Sequence, residues 1–216
     1  PLEAIKEPNL EGLRHGLANL DRHISNLQGF GQTVLVCFNR YATDTDEEIQ
    51  LCREHCKEKG VPFAVNNAFN EGGAGATELA SLVVDTIEKQ PSKPLSLAYT
   101  DDMSVEEKAE AVARKVYGAE SVTFTPTAKR MLKRIEEMGI ANYPICIAKT
   151  QYSFSADAKA YGVPTGFNIQ VRDIVINCGA EMIVLIAGDI LRMPGLPKSP
   201  QAERIDLVDG QIEGLS

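Results

Sequence analysis

A glycine-rich stretch, FNEGGAGATELA at residues 69–80, places three glycines within four positions, directly before a segment rich in helix-forming residues. Such a turn can cradle a phosphate, because backbone amides at the start of a helix point toward the ligand. A Walker loop also needs a Lys after its last glycine, and no Lys follows Gly72, Gly73 or Gly75. A dinucleotide fingerprint needs a third glycine where this chain has Glu78, whose charge would repel a pyrophosphate. The stretch therefore indicates another kind of ligand loop, or only a tight turn.

Two aromatic residues follow the ends of two predicted apolar strands. Tyr41 comes shortly after the run TVLVCF, and Phe69 comes shortly after the run VPFAV. In an open parallel sheet, ligands bind beyond the carboxyl ends of the strands, where both aromatics would lie. Two rings at adjacent strand ends can hold a flat ring between them. Packing of each ring within its own loop is the alternative that the pattern leaves open.

Four carboxylates follow the first of these strands: Asp44, Asp46, Glu47 and Glu48. They could bind a metal ion or form an acid/base pair. Their place in the first turn of a predicted helix has a simpler cause, because the helix dipole stabilises negative charge there. We therefore favour a capping role.

Cys52, His55 and Cys56 lie close together in the stretch LCREHCKEKG. They supply only three ligands where a structural zinc site needs four, so we predict that both thiols are small buried apolar groups and that the chain has no metal site. The five cysteines are scattered, which favours reduced thiols in a reducing compartment.

The run AKTQYSFS places Lys149, Thr150, Tyr152 and Ser153 just past another apolar strand. A Lys, a Tyr and a Ser that converge can perform acid/base chemistry. Nothing in the sequence shows that these side chains converge, so a structural loop is the favoured interpretation and the role of Lys149 stays open.

The elements that position these residues alternate along the first part of the chain. Leucines and isoleucines recur at steps of three and four over residues 9–30, which predicts a long amphipathic helix. Apolar runs at 33–38 and 61–65 predict buried parallel strands. Between them, Thr45 and Glu48 form a capping box that starts a second helix. Residues 77–89 predict a further helix, with these side chains facing inward: Leu79, Leu82, Val83 and Ile87.

The second part of the chain has a different character. KQPSKP at residues 89–94 marks a possible boundary. Helices are predicted at 104–117 and 126–138. Two β-rich runs then form a predicted hairpin that turns at CGA, and a second hairpin is predicted to turn on Asp209 and Gly210. The fold class is therefore α/β, with a parallel βαβ segment of P-loop NTPase-like or Rossmann-like type followed by a smaller α+β domain with antiparallel hairpins. We place the domains at residues 1–95 and 96–216.

Composition limits the classes of partner. The 22 Lys and Arg against 30 Asp and Glu give a net charge of −8, which argues against nucleic acid as a partner. No run of about 18 apolar residues and no signal-peptide layout occurs, so we expect no membrane partner and a cytoplasmic location. The chain begins at Pro1 rather than Met, so we expect it to be a piece of a longer polypeptide.

Several long motifs occur in one order along the chain: LANLDRHISNLQGFGQTVLVCFNRYATDTDEEI, FNEGGAGATELA, YGAESV, PICIAKTQYSFS and MPGLPKSPQAERIDLVDGQIEGL. In these motifs, which span nearly the whole chain, the sequence resembles the carboxy-terminal portion of formate–tetrahydrofolate ligase. The resemblance implies an enzyme that makes 10-formyltetrahydrofolate, ADP and phosphate from formate, ATP and tetrahydrofolate. By the same resemblance, the reaction would pass through formyl phosphate with the assistance of magnesium and a monovalent cation. The lysine-bearing phosphate loop of the family lies in an amino-terminal portion that this chain lacks.

The same resemblance implies a folate site. Tyr41 matches an aromatic position that stacks on the pterin, Phe69 matches a position that is usually Trp on the opposite face, and Val65 matches an aliphatic position in the same pocket. The loop that contains Glu71 and the three glycines would lie near the site. The chain has no Trp, so the Phe69 wall offers less stacking area.

Three hypotheses follow for the function. The first is the folate-side portion of the ligase, inactive alone and completed by the missing amino-terminal portion in an enzyme that we expect to be a homo-oligomer. The second is a non-catalytic assembly or partner-binding fragment of the same family. The third is a free-standing nucleotide binder of the Rossmann type.

Overall fold

The computed structural model of the protein describes residues 7–188, 190, 198–208 and 211–214. In the first part of the chain, helix α1 (Leu10–Gly29), strand β1 (Val36–Asn39), helix α2 (Asp46–Glu58) and strand β2 (Phe63–Asn66) follow one another. A short helix α3 (Ala68–Glu71), a 3-10 turn (Gly72–Ala76) and helix α4 (Thr77–Lys89) complete this part. The strands begin two or three residues later than predicted.

Strands β1 and β2 pair in parallel, from Val36 beside Phe63 to Asn39 beside Asn66. Helices α1 and α2 pack together through a core of Leu17, Leu51 and Cys52, against which Phe38 and Phe63 of the strands also pack. The predicted parallel βαβ unit is therefore present. It consists of two strands within the described residues, so it confirms an α/β class but does not define a larger parallel sheet.

The predicted helix starts are confirmed where side chains cap them. The Thr45 hydroxyl accepts a hydrogen bond from the Glu48 amide, and the Glu48 carboxylate accepts one from the Thr45 amide at 3.1 Å. Glu48 also accepts a hydrogen bond from the Asn9 amide at 3.1 Å, which joins the start of α2 to the start of α1. The Glu48 carboxylate therefore holds the starts of both helices.

Helix α4 has the predicted bounds, but the prediction that Ile87 faces inward was wrong. Leu79, Leu82 and Val83 are half-buried, whereas Ile87 is 66% exposed. The buried residue of this turn is Thr86, whose hydroxyl donates to the Leu82 carbonyl at 2.6 Å. A sheet of two strands covers less of a helix than a wider sheet would, and Ile87 lies on the part of α4 that stays in solvent.

The second part of the chain contains a mixed four-stranded sheet. Helix α5 (Val105–Val112) runs into a π turn (Ala113–Tyr117), and strand β3 (Ser121–Phe124), helix α6 (Pro126–Glu137) and strand β4 (Ile145–Ala148) follow. Strands β5 (Asn168–Asn177) and β6 (Met182–Ala187) form the predicted hairpin at the centre of the sheet. The strand order is β3-β5-β6-β4, with both outer strands parallel to their neighbours.

Helices α5 and α6 cover this sheet and bury its largest core. The core joins Val105 and Ala109 of α5 to the helix and strand residues Ala128, Leu132, Ile135, Val171, Ile174, Ile183 and Leu185. The starts of both helices agree with prediction, because Ser104 and Glu107 form a capping box and the Thr125 hydroxyl accepts from the Ala128 amide. The two parts of the chain meet where the Asn26 side-chain amide donates to the Val116 carbonyl at 2.9 Å.

A small antiparallel pair ends the described chain. Strand β7 (Asp206–Val208) pairs with strand β8 (Gln211–Glu213), as predicted for the second hairpin. The predicted turn residues Asp209 and Gly210, and most of the MPGLPK motif, lie outside the described residues. Among the helices that the structure describes, none is long and apolar enough to cross a membrane.

Candidate functional site

The carboxyl ends of β1 and β2 lie side by side and are joined by polar side chains. Asn39 and Asn66 are partners at the last position of the register, and the Asn66 side-chain amide donates to the Asn39 side-chain oxygen at 3.3 Å. The Arg40 amide donates to the Asn66 carbonyl at 3.0 Å. The segments that carry Tyr41 and Phe69 therefore leave the sheet at the same edge.

Tyr41 opens a tight turn just past β1. Its backbone amide donates to the Asp44 carboxylate at 2.7 Å, and its carbonyl accepts from the Asp44 amide at 3.1 Å. The side chain takes no part in this turn and is 68% exposed. The turn thus fixes the backbone of Tyr41 while the ring remains exposed.

Phe69 lies on α3, a single helical turn held by asparagines. The Asn66 side chain accepts from the Ala68 amide at 3.1 Å, and Asn67 exchanges side-chain hydrogen bonds with Asn70 at 2.8 Å and Glu71 at 2.7 Å. Phe69 itself is 93% exposed. An aromatic ring held in solvent on a constrained turn is typical of a contact surface rather than of a core.

Val65 is the third residue that the resemblance assigns to the folate site. It lies on β2 next to the last residue of the strand, pairs with Phe38 of β1, and is half-buried. The structure therefore brings Tyr41, Val65 and Phe69 to one end of the two-stranded sheet.

The three glycines of the loop differ in whether the structure requires a glycine at their position. The Asn67 amide donates to the Gly75 carbonyl at 3.0 Å, and a Cβ on Gly75 would lie 2.5 Å from the Asn67 carbonyl oxygen. Gly72 has a φ of 59°, in the left-handed region that favours glycine. A Cβ on Gly73 would meet no atom within 4 Å. The loop therefore needs Gly75 for close packing and Gly72 for its backbone angle, and Gly73 for neither.

The acidic cluster forms caps and surface contacts. Asp44 caps the Tyr41 turn, Glu48 completes its capping box, and Asp46 pairs with Arg40 at 3.1 Å. Hydrogen bonds from the Thr45 and Asn9 amides hold the pKa of Glu48 below its ordinary value. These contacts agree with the predicted capping role.

The thiols of Cys52 and Cys56 are buried in the packing of α2, as predicted. Burial raises the pKa of both thiols, which keeps them protonated. Across the described ranges, no group of three His, Cys, Asp or Glu side chains could hold a metal ion.

A charged network joins α1 and α2, and no sequence pattern predicted it. Asp21 of α1 contacts the His55 ring nitrogen Nε2 at 2.6 Å and the Lys59 Nζ at 2.8 Å. Burial disfavours the carboxylate, but the hydrogen bonds from Lys59 and His55 outweigh this effect, and the pKa of Asp21 is lowered. The spacing of His55 and Lys59 by four residues placed them on one helix face, but no pattern indicated their partner 34 residues earlier.

Lys149 and Ser153 come together after β4, in a way that the acid/base hypothesis did not anticipate. The Lys149 Nζ donates to the carbonyl oxygens of Thr150, at 3.0 Å, and of Ser153. The Ser153 hydroxyl donates to the Ala160 carbonyl at 2.7 Å, and Tyr152 is 67% exposed. The three side chains therefore form no proton-transfer chain, and Lys149 closes the loop through backbone carbonyls.

Lys108 is the second lysine with a structural role. It is fully buried on α5, and its Nζ donates to the carbonyl oxygens of Ala141 at 2.8 Å and Tyr143 at 3.1 Å. Burial lowers its pKa, although nearby Asp101 and Asp102 favour the charged form. In the sequence, Lys108 lies between Val105 and Ala109, which belong to the core, and it shares a helix face with Val112. These apolar neighbours were the signal that Lys108 would be buried.

Comparison with known proteins gives one family throughout. The family model described as formate–tetrahydrofolate ligase matches residues 1–216. The formate–tetrahydrofolate ligase of Bacteroides fragilis is 63% identical over 215 residues, which are 100% of this chain and 39% of that protein. The ligase of Parabacteroides distasonis is 62% identical over 100% of this chain and 39% of that protein. The ligase of Porphyromonas gingivalis is 57% identical over 98% of this chain and 38% of that protein. The chain thus spans about two fifths of the length of these curated relatives, and it belongs to the formate–tetrahydrofolate ligase family.

Proposed function

We propose that this chain is the folate-side portion of an ATP-dependent ligase that joins formate to tetrahydrofolate. The product is 10-formyltetrahydrofolate, formed through formyl phosphate. One observation carries the proposal beyond family membership: Tyr41 and Phe69 are exposed aromatics on constrained turns at the carboxyl ends of two paired parallel strands. Ligands of open α/β sheets bind at this edge.

In this proposal the pterin ring lies between the side chains of Tyr41 and Phe69, and Val65 lines the end of the slot. Aromatic faces bind a flat heterocycle through offset stacking and burial of apolar surface. Phe in place of the family's usual Trp keeps a stacking face with a smaller area. We expect this to weaken pterin binding by about 1 kcal/mol.

The loop from Glu71 to Gly75 would shape the floor of the site. Its contribution to catalysis is to hold the folate amine in line with the formyl group, since a correct approach geometry removes much of the entropic barrier. By the family resemblance, the lysine-bearing phosphate loop lies in the amino-terminal portion, so ATP, magnesium and the monovalent cation would bind there.

We further propose that residues 1–95 complete a P-loop NTPase-like or Rossmann-like parallel sheet with that amino-terminal portion, and that residues 96–216 form the carboxy-terminal domain. The open two-stranded sheet and four exposed apolar residues near α4 support this arrangement: Val84, Ile87, Leu95 and Leu97. The complete enzyme would be a cytoplasmic homo-oligomer.

Titration of tetrahydrofolate into the protein tests the proposed site. Tyr41→Ala and Phe69→Ala should each weaken binding about tenfold, because each removes one stacking face. Tyr161→Ala is the matched control, since Tyr161 is a similarly exposed aromatic in another loop. Binding that is absent, or that is unchanged in both site variants, would support the alternative of a non-catalytic assembly fragment.

An ADP-release assay tests whether turnover requires the amino-terminal portion. With formate, ATP and tetrahydrofolate present, the 216-residue chain alone should show no turnover, because the phosphate-binding portion is missing. Addition of the amino-terminal portion of a relative should restore ADP release. Turnover by the chain alone would contradict the proposal.

A further inference from the structure

A cleft of about 380 Å³ lies where α1 meets the segment that follows β4. Asn19 and His23 line it from α1, Tyr117 lines it from the π turn, and Lys149 and Phe154 line it from the segment after β4. Its volume falls within the range of about 300–1,000 Å³ that small-molecule sites occupy. None of the residues proposed to hold the pterin lines this cleft, so the two sites are distinct.

Lys149 gives the wall of this cleft a positive charge. Its Nζ contacts the Thr150 and Ser153 carbonyls and lies 4.6 Å from the centre of the Tyr117 ring. These neighbours stabilise an ammonium group without neutralising it, and an ammonium has three N–H donors, one more than the two carbonyls use. Burial also lowers the pKa of Lys149, because removal from water disfavours the charged form.

The charge of Lys149 has no carboxylate partner among the described residues, because Lys149 takes part in no ion pair with an Asp or Glu side chain there. A partly buried cation without a counter-ion is unfavourable, and an anion bound in the cleft would offset that cost. The charge therefore favours an anionic ligand.

The remaining wall of the cleft favours a flat apolar group. Phe154 is buried, and its ring centroid lies 5.2 Å from that of His23. Tyr117 presents a second ring, and burial raises the pKa of its hydroxyl, which keeps the ring neutral. The Asn19 amide can donate to and accept from a ligand.

We propose that this cleft binds a small organic anion with a planar apolar group, its anionic end at Lys149 and its planar end against Tyr117 and Phe154. A ligand that fits this cleft needs one negative charge beside one flat ring, and benzoate is the simplest probe that has both. Benzamide has the same shape without the charge and serves as its neutral partner.

The first test compares the two probes on the unaltered protein by isothermal titration or by chemical-shift changes. Benzoate should bind saturably, and benzamide should bind at least about tenfold more weakly, because only benzoate meets the ammonium charge. Equal binding of the two probes, or no saturable benzoate binding, would overturn the proposal. The variants Tyr41→Ala and Phe69→Ala should leave benzoate binding unchanged, which separates this site from the proposed folate site.

The second test changes charge in the wall while keeping the lysine contacts. Asn19→Asp places a carboxylate in the cleft and should weaken benzoate binding about tenfold, whereas Gln28→Glu, on the same helix but outside this cleft, should not. Lys149→Arg should retain binding and Lys149→Met should lose it, with thermal unfolding used to confirm that each variant is folded. Unchanged benzoate affinity in folded Asn19→Asp protein would refute the assignment.

Discussion

Phe69 is 93% exposed on the short helix α3 that follows β2. Because the ring makes few contacts within the protein, its size can be changed with little effect on stability. Phe69→Trp should tighten tetrahydrofolate binding about fivefold, since a larger ring adds about 1 kcal/mol of stacking. Fluorescence of the new Trp, the only one in the chain, reports the binding directly.

A matched variant separates stacking from simple apolar contact. Phe69→Leu keeps an apolar side chain but removes the ring, so it should weaken binding while leaving the thermal midpoint of unfolding unchanged. Equal affinities of the Trp, Phe and Leu proteins would show that Phe69 does not contact the pterin.

Gly75 illustrates how one residue closes the loop. Because a Cβ at this position would lie 2.5 Å from the Asn67 carbonyl oxygen, Gly75→Ala forces the loop backbone to move. We expect a loss of roughly 1–3 kcal/mol in the free energy of unfolding, the usual cost of overpacking. Denaturant titration measures it, and Gly73→Ala is the control, because a Cβ there meets no atom within 4 Å. A similar loss in both variants would contradict this explanation.

At the scale of elements, the packing of α1 on α2 includes a pH-dependent contribution. The folded-state pKa of Asp21 is lowered by Lys59 and His55, so the carboxylate stabilises the fold above the unfolded-state pKa and loses this effect as the pH falls through the folded-state pKa. Asp21→Asn should therefore cost about 1 kcal/mol at pH 7 and progressively less below about pH 4.

Denaturant unfolding of both proteins at pH 7 and pH 3 measures this difference. Asp85→Asn, which removes the exposed partner of Lys89, should change stability much less at either pH. A cost of Asp21→Asn that stays constant between the two values would show that the network contributes by packing rather than by charge.

The elements also show what local sequence can specify. The capping pairs Thr45 with Glu48 and Ser104 with Glu107 were predictable, because each pair satisfies helix amides within four residues. Strand β3 was not anticipated, since its four residues carry little pattern of their own. It exists through parallel pairing with β5, about 47 residues later, as between Ser121 and Asn168.

For the whole molecule, the exposed apolar surface beside α4 tests whether the chain is completed by another portion. Ile87 is 66% exposed here, yet the helix pattern placed it inward. If the amino-terminal portion covers this surface, Ile87→Glu should be nearly neutral in the 216-residue chain and should cost roughly 2–3 kcal/mol in the complete enzyme, where it would bury a charge.

Thermal unfolding of both forms measures this contrast. Met138→Glu, at an exposed apolar position after α6, is the control and should be neutral in both forms. A neutral effect of Ile87→Glu in the complete enzyme would show that this surface stays in solvent there.

The sequence by itself determined the family, the helix starts, the α/β class and the positions of Tyr41 and Phe69 past two strands, because these depend on motifs and on residues close along the chain. Only the tertiary structure decided that Asp21 meets His55, that Lys108 is buried against two carbonyls, and that Lys149 lines a cleft with α1. These contacts join residues that lie far apart in sequence. Side-chain spacing places a residue on a face, but the packing of one element on another decides what that face touches.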